Sequence, residues 1–195
     1  VVLSRPELEE IARVAVEHDL LVVCDEVYRT LIYDGVPSAS IAECPGMKER
    51  TLVVNSVSKA FAMTGWRVGY ACGPREIIDA MMKVHQYAIM CASTMAQEAA
   101  LEALRNGEKE MLRMRESYCE RRNLMVDGLN RIGLDCLLPK GAFYTFPSVK
   151  STGLSSTEFA EQLLKAEKVA VVPGVAFGAC GEGFVRCCYA TSASD

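Results

Sequence analysis

A chain of 195 residues, half of them hydrophobic, is long enough to bury one substantial core or two small ones. A formal charge of −4 and the lack of any basic run exclude the electrostatic footprint of a nucleic-acid or anionic-membrane binder. The apolar runs are strand length, far short of a bilayer span, and VVLSRPELEE has neither the charged flank nor the apolar stretch of a secretion signal. Ser4, followed by Pro6 and Glu7, predicts a capped helix start. That helix runs to about His18, with Leu8, Ile11, Ala12, Ala15 and Val16 on one face. The run LLVVC at 20–24 predicts a strand buried on both faces, and TLVVN at 51–55 a second such strand. RVGYACG at 67–73 predicts a third.

Pro74 opens a long helical region, broken near Cys91–Ser93 and ending near Asn106 and Gly107. Within it Met81, Met82, Met90 and Met95 read as core filling. A highly charged helix spans about Glu108 to Arg131 and is stopped by Gly133. Short strands follow at 135–139, 142–146, 169–173 and 183–190, with one helix at 156–166. Strand and helix alternate in the first part, as in a parallel sheet with crossovers, and the second part is α+β. The boundary falls at about residue 108, giving domains 1–107 and 108–195. The nine cysteines are odd in number and contain no C-x-x-C pair. They read as buried, reduced thiols of a cytoplasmic protein, Cys24, Cys72 and Cys187 among them. His18 and His85 lie far apart in helical patterns, and no metal-ligand spacing or glycine-rich phosphate loop occurs.

The chemistry gathers at two strand ends. LLVVC runs into Asp25 and Tyr28, and TLVVN runs into Ser56, Ser58 and Lys59. Ligands of open α/β sheets sit beyond the carboxyl ends of parallel strands. An acid after a strand also serves as a helix cap or turn residue, and a loop lysine is commonly a solvated charge. The surroundings of Lys59 favour a site: Ser56, Ser58 and Arg67 flank it, and hydroxyls with a guanidinium suit a phosphate dianion. An amine nucleophile, a carboxylate and a phosphate clamp are what pyridoxal phosphate (PLP) requires.

The segments DEVYRTLIYDG (25–35) and NSVSKAFAMTGWRVGYACGP (55–74) resemble the cofactor-binding blocks of class I/II aminotransferases of the aspartate aminotransferase type. GAFYTFP (141–147), VAVVPGVAFG (169–178) and GEGFVRCCYA (181–190) resemble the small-domain blocks of that family, in the same order. The resemblance implies an α/β fold: part of a PLP-transferase large domain, a three-layer sandwich on a mostly parallel sheet, followed by an α+β small domain. It implies transfer of an amino group from an L-amino acid to a 2-oxo acid, in a cytoplasmic homodimer serving amino-acid biosynthesis. Lys59 would carry PLP covalently and then move the proton. Asp25 would pair with the ring nitrogen, Tyr28 would hydrogen-bond the phenolic oxygen, and Ser56, Arg67 and the adjacent Ser58 would hold the phosphate. Arg186, inside the apolar run FVRCCYA, reads on physical grounds as half of a structural ion pair or as a solvated strand residue. The resemblance makes it the ligand of the substrate's α-carboxylate. Gly174 and Phe177 either shape the site or simply pack, and Tyr33 either lines the entrance or covers apolar surface.

Members of that family are longer, and the match is to their carboxy-terminal part. The chain by itself is therefore expected neither to bind PLP tightly nor to transaminate. C–S β-lyases and aminocyclopropane-forming synthases share these blocks, and some transcription regulators carry an aminotransferase-like sensor domain. Those are the alternative functions.

Overall fold

The computed structural model describes residues 2–192. The chain divides between Arg113 and Met114 into two compact units.

The first unit begins with helix α1 (Arg5–Glu17). The Glu7 carboxylate accepts from the backbone N–H of Ser4 at 2.7 Å and from its hydroxyl at 2.6 Å, so the expected start is closed by a local acid. Leu8, Ala12 and Ala15 form its buried face against Ile41, Cys44 and Met47, while Ile11 and Val16, expected beside them, are exposed. Three strands follow: β1 (Val22–Asp25), β2 (Thr51–Ser56) and, after the one-turn helix α2 (Val57–Ala60), β3 (Gly69–Cys72). β1 and β2 pair in parallel, from Val22 opposite Thr51 to Asp25 opposite Val54. β3 pairs antiparallel to β2, with Ser56 opposite Gly69. The expected crossover is thus absent between these two. Residues 57–68 hold one turn of α2 and a 3-10 turn, too little helix to carry the chain back across the sheet.

β1 is not buried on both faces. Leu21 and Val23 are each 70% exposed, because among the described residues only the opposite face, with Val22 and Cys24, packs on the α1 cluster. Helix α3 (Arg75–Ala88) and helix α4 (Thr94–Asn106) bracket the expected break. Met90 turns left-handed, and the Ser93 hydroxyl caps the new helix on the N–H of Ala96 at 3.2 Å. The methionines do not fill a core: α3 buries no residue, and Met81, Met82, Met90 and Met95 are all exposed.

Helix α5 (Glu108–Arg131) carries the chain into the second unit and ends before Gly133, whose φ is +84°. β4 (Tyr144–Thr145), helix α6 (Ser156–Glu167), β5 (Val172–Pro173) and β6 (Val185–Cys188) complete the unit. The sheet order is β4-β6-β5, antiparallel throughout. α6 starts on a second capping box, in which Glu158 accepts from the Ser155 N–H at 3.0 Å and the Ser155 hydroxyl from the Glu158 N–H at 3.3 Å. The strand expected at 135–139 does not form, because side chains of α5 take its backbone groups instead. Asn130 brackets Cys136 with bonds of 2.8 and 3.1 Å, and the buried Arg122 donates to the Pro139 carbonyl at 3.0 Å. The cysteines are free thiols, as read, but their burial differs. Cys72 is exposed, Cys24 and Cys187 are half-buried, and of the nine only Cys44 and Cys136 are fully buried.

Candidate functional site

Because β1 and β2 run in parallel, their carboxyl ends reach one edge of the sheet. Side chains alternate along each strand, and paired residues share a face. The register therefore places Asp25 of β1, Ser56 of β2 and position 69 of β3 on the same face. Gly69 contributes no side chain there. A Cβ at that position would stand 3.7 Å from the Ser56 Cβ and 3.1 Å from the Asn55 carbonyl, so the glycine keeps the space beside Ser56 open.

Each expected residue has a defined place at this edge. Asp25 is exposed, and its Oδ1 accepts from the N–H of Val27 at 3.0 Å. No described residue engages its second carboxylate oxygen, which leaves one strong acceptor for a protonated ring nitrogen. Tyr28 is half-buried in the turn that follows, where its carbonyl accepts from the Leu31 N–H at 2.9 Å. Lys59 is half-buried in α2, immediately beyond β2. Arg67 closes the loop in a left-handed conformation, φ 56° and ψ 47°, a region a non-glycine residue occupies only where its surroundings require it. One of its guanidinium N–H groups donates to the Thr64 carbonyl at 2.8 Å, and the side chain is otherwise exposed.

The two serines hold each other. The Ser56 hydroxyl accepts from the Ser58 N–H at 2.9 Å, capping the turn that bears Lys59. It also lies 2.7 Å from the Ser58 hydroxyl and 2.9 Å from the Val68 carbonyl. Two hydroxyl protons serve these contacts. If Ser56 donates to Val68, Ser58 must donate to Ser56 and none is left. If Ser56 donates to Ser58, the Ser58 proton is available to an anion. Loop 56–68 thus carries Ser56, Ser58, Lys59 and Arg67, with Asp25 one strand away on the Ser56 face. A carboxylate, an amine, a hydroxyl proton and a guanidinium are a donor set that fits a ring nitrogen, a carbonyl carbon and a phosphate.

The sequence reading missed the residues behind Asp25. Glu26 continues the β1 ladder, its N–H donating to the Val54 carbonyl at 2.8 Å, and turns its carboxylate to the other face, where it is buried. There Arg29 binds it at 3.0 Å while also binding Glu43 at 2.8 Å and the Ser38 hydroxyl at 3.2 Å. The available signal was the i,i+3 spacing of an acid and an arginine at a strand end. Burial, followed by the charge of Glu26, pushes the Cys24 thiol above its ordinary pKa, and burial does the same to the Tyr70 phenol. Tyr33 is buried.

In the second unit, Arg186 is half-buried on β6. It makes no ion pair among the described residues. Its guanidinium carbon lies 4.4 Å from the centre of the Tyr144 ring and 4.7 Å from that of Phe177. Gly174 approaches Gly181 so closely that a Cβ on either would collide with the other's carbonyl, which locks the turn carrying Phe177.

The family model described as aminotransferase class I and II matches residues 1–195. A relative named putative aminotransferase YugH, from Bacillus subtilis, is 59% identical over 98% of this chain and 49% of its own length. An aspartate aminotransferase of Pyrococcus abyssi is 53% identical over 98% of this chain and 50% of its own. The crystal structure of an aromatic aminotransferase from Pyrococcus horikoshii superposes with a TM-score of 0.95 at 50% identity, covering 98% of this chain and 52% of that one. The chain spans about half the length of the curated relatives it matches.

Proposed function

From the fact that the chain belongs to the class I and II aminotransferase family, we propose that it supplies the lysine-bearing part of an enzyme that uses PLP to move an amino group from an L-amino acid to a 2-oxo acid. The observation that carries this reading is the register that sets Asp25, Ser56 and the open space at Gly69 on one sheet face, next to the turn bearing Lys59.

When bound, PLP supplies a ring that accepts electrons from the substrate's α-carbon. The rest is the work of side chains. Lys59 holds the cofactor covalently through its amine and then moves a proton at the α-carbon. Asp25 offers its open oxygen to the ring nitrogen and keeps it protonated. Tyr28 donates to the phenolic oxygen. Arg67 and the Ser58 hydroxyl would bind the phosphate, with Ser56 holding the Ser58 hydroxyl in place. Arg186 takes the substrate's α-carboxylate. In this assignment residues 1–107 belong to the cofactor-binding domain and 108–195 to the small domain. The active enzyme is a homodimer in the cytoplasm. Among the described residues no helix is long and apolar enough to cross a membrane.

The test is covalent trapping in the full-length protein. After incubation with PLP and borohydride reduction, the pyridoxyl mass should fall on the peptide containing Lys59 and disappear in Lys59→Ala. An adduct located on another lysine would overturn the assignment. Glutamate formation from 2-oxoglutarate, rather than release of pyruvate and ammonia, distinguishes amino transfer from β-elimination.

A further inference from the structure

We infer that Tyr144 and Phe177 are positioning residues for Arg186, a pair of rings that orients the guanidinium while leaving its N–H groups to a carboxylate. The inference rests on the reading of Arg186 as the carboxylate ligand. Arg186 lies on the middle strand of the sheet, and the two rings come from the elements on either side: Tyr144 from β4, and Phe177 from the turn after β5. Both ring centres are within 4.7 Å of the guanidinium carbon, well inside the range of cation–π attraction.

A half-buried guanidinium has two distinct needs. Its π faces require favourable neighbours, and its five in-plane N–H groups require acceptors. The rings meet the first need only. Among the described residues no hydrogen bond or ion pair meets the second. The result is a cation held in place by groups that do not compete for the edge a carboxylate binds, which suits bidentate recognition of a planar anion.

Phe177 is itself held. The Gly174–Gly181 approach fixes its turn, and its ring meets Phe146 edge-on at 5.9 Å. Phe146 in turn stacks on Phe184 at 5.5 Å and 9°. Phe177 nevertheless stays 49% exposed and Phe146 39% exposed, so this row of rings is not explained by core formation alone. Solvent exposure also makes Phe177 the safer side chain to truncate without unfolding the unit.

The experiment compares Phe177→Leu, Phe177→Tyr and Arg186→Gln in the full-length holoenzyme. The readouts are kcat, the amino-acid KM, and the inhibition constant of propionate, an unreactive monocarboxylate. Loss of one exposed cation–π contact should weaken carboxylate binding about two- to fivefold. The effect should fall on KM and on propionate inhibition rather than on kcat, and the ring retained in Phe177→Tyr should restore both. If Arg186→Gln weakens propionate strongly and Phe177→Leu does not, the positioning role is wrong and the assignment of Arg186 stands. If Arg186→Gln leaves propionate unaffected, the assignment of Arg186 fails and the positioning role falls with it.

Discussion

The serine pair before Lys59 holds the turn that bears it. In the absence of cofactor, Ser56→Ala removes the cap of α2, the bond to the Ser58 hydroxyl and the bond to the Val68 carbonyl. Loss of a serine cap costs about 1 kcal/mol. A half-buried hydroxyl bond adds about another 1 kcal/mol. The turn bearing Lys59 should therefore open about 2 kcal/mol more easily, which is roughly a 30-fold rise in its open population. Ser58→Ala removes only the bond between the two hydroxyls, worth about 0.5–1 kcal/mol, or roughly two- to fivefold. Hydrogen exchange on the full-length apo-protein, followed in peptides covering 56–68, measures both values without cofactor to confuse them. Equal acceleration in the two variants, or faster exchange in Ser58→Ala, would refute the view that Ser56 rather than Ser58 organises the loop.

Two further outcomes concern stability and reactivity. Thr51 is buried, and its hydroxyl oxygen finds no partner among the described residues; Thr51→Val should therefore raise stability by about 1 kcal/mol in urea unfolding, and a loss would mean that the hydroxyl is bonded. Burial pushes the Cys187 thiol up to about 11 from an ordinary 9.0. An unfolded chain ionises this thiol first, so its contribution, about 3 kcal/mol at most, is fully present below pH 9 and is lost as pH rises toward 11. Cys187→Ala should flatten that alkaline decline, and at pH 8 Cys187 should alkylate more slowly than the exposed Cys72, Cys91, Cys180 and Cys188. Alkylation of Cys187 at the rate of those four would contradict its burial.

What the sequence by itself determined was local. Ser4 with Glu7 and Gly133 each mark a helix end through groups within a few residues, so those ends were legible, and Ser93 and Ser155 with Glu158 cap their helices by the same local means. The strand-end positions of Asp25, Ser56 and Lys59 were legible for the same reason, since a short β-branched run marks where each strand stops. Tertiary structure decided what depends on neighbours distant in the chain. It set β3 antiparallel to β2, left Val23 and the α3 methionines exposed, and spent the 135–139 backbone on Arg122 and Asn130 instead of on a ladder. It also put Glu26 and Arg29 behind Asp25 and two rings beside Arg186. Apolar periodicity states that a face is apolar, not what covers it. Cover, register and the partner of a buried charge are settled only when distant segments compete for the same space and the same hydrogen bonds.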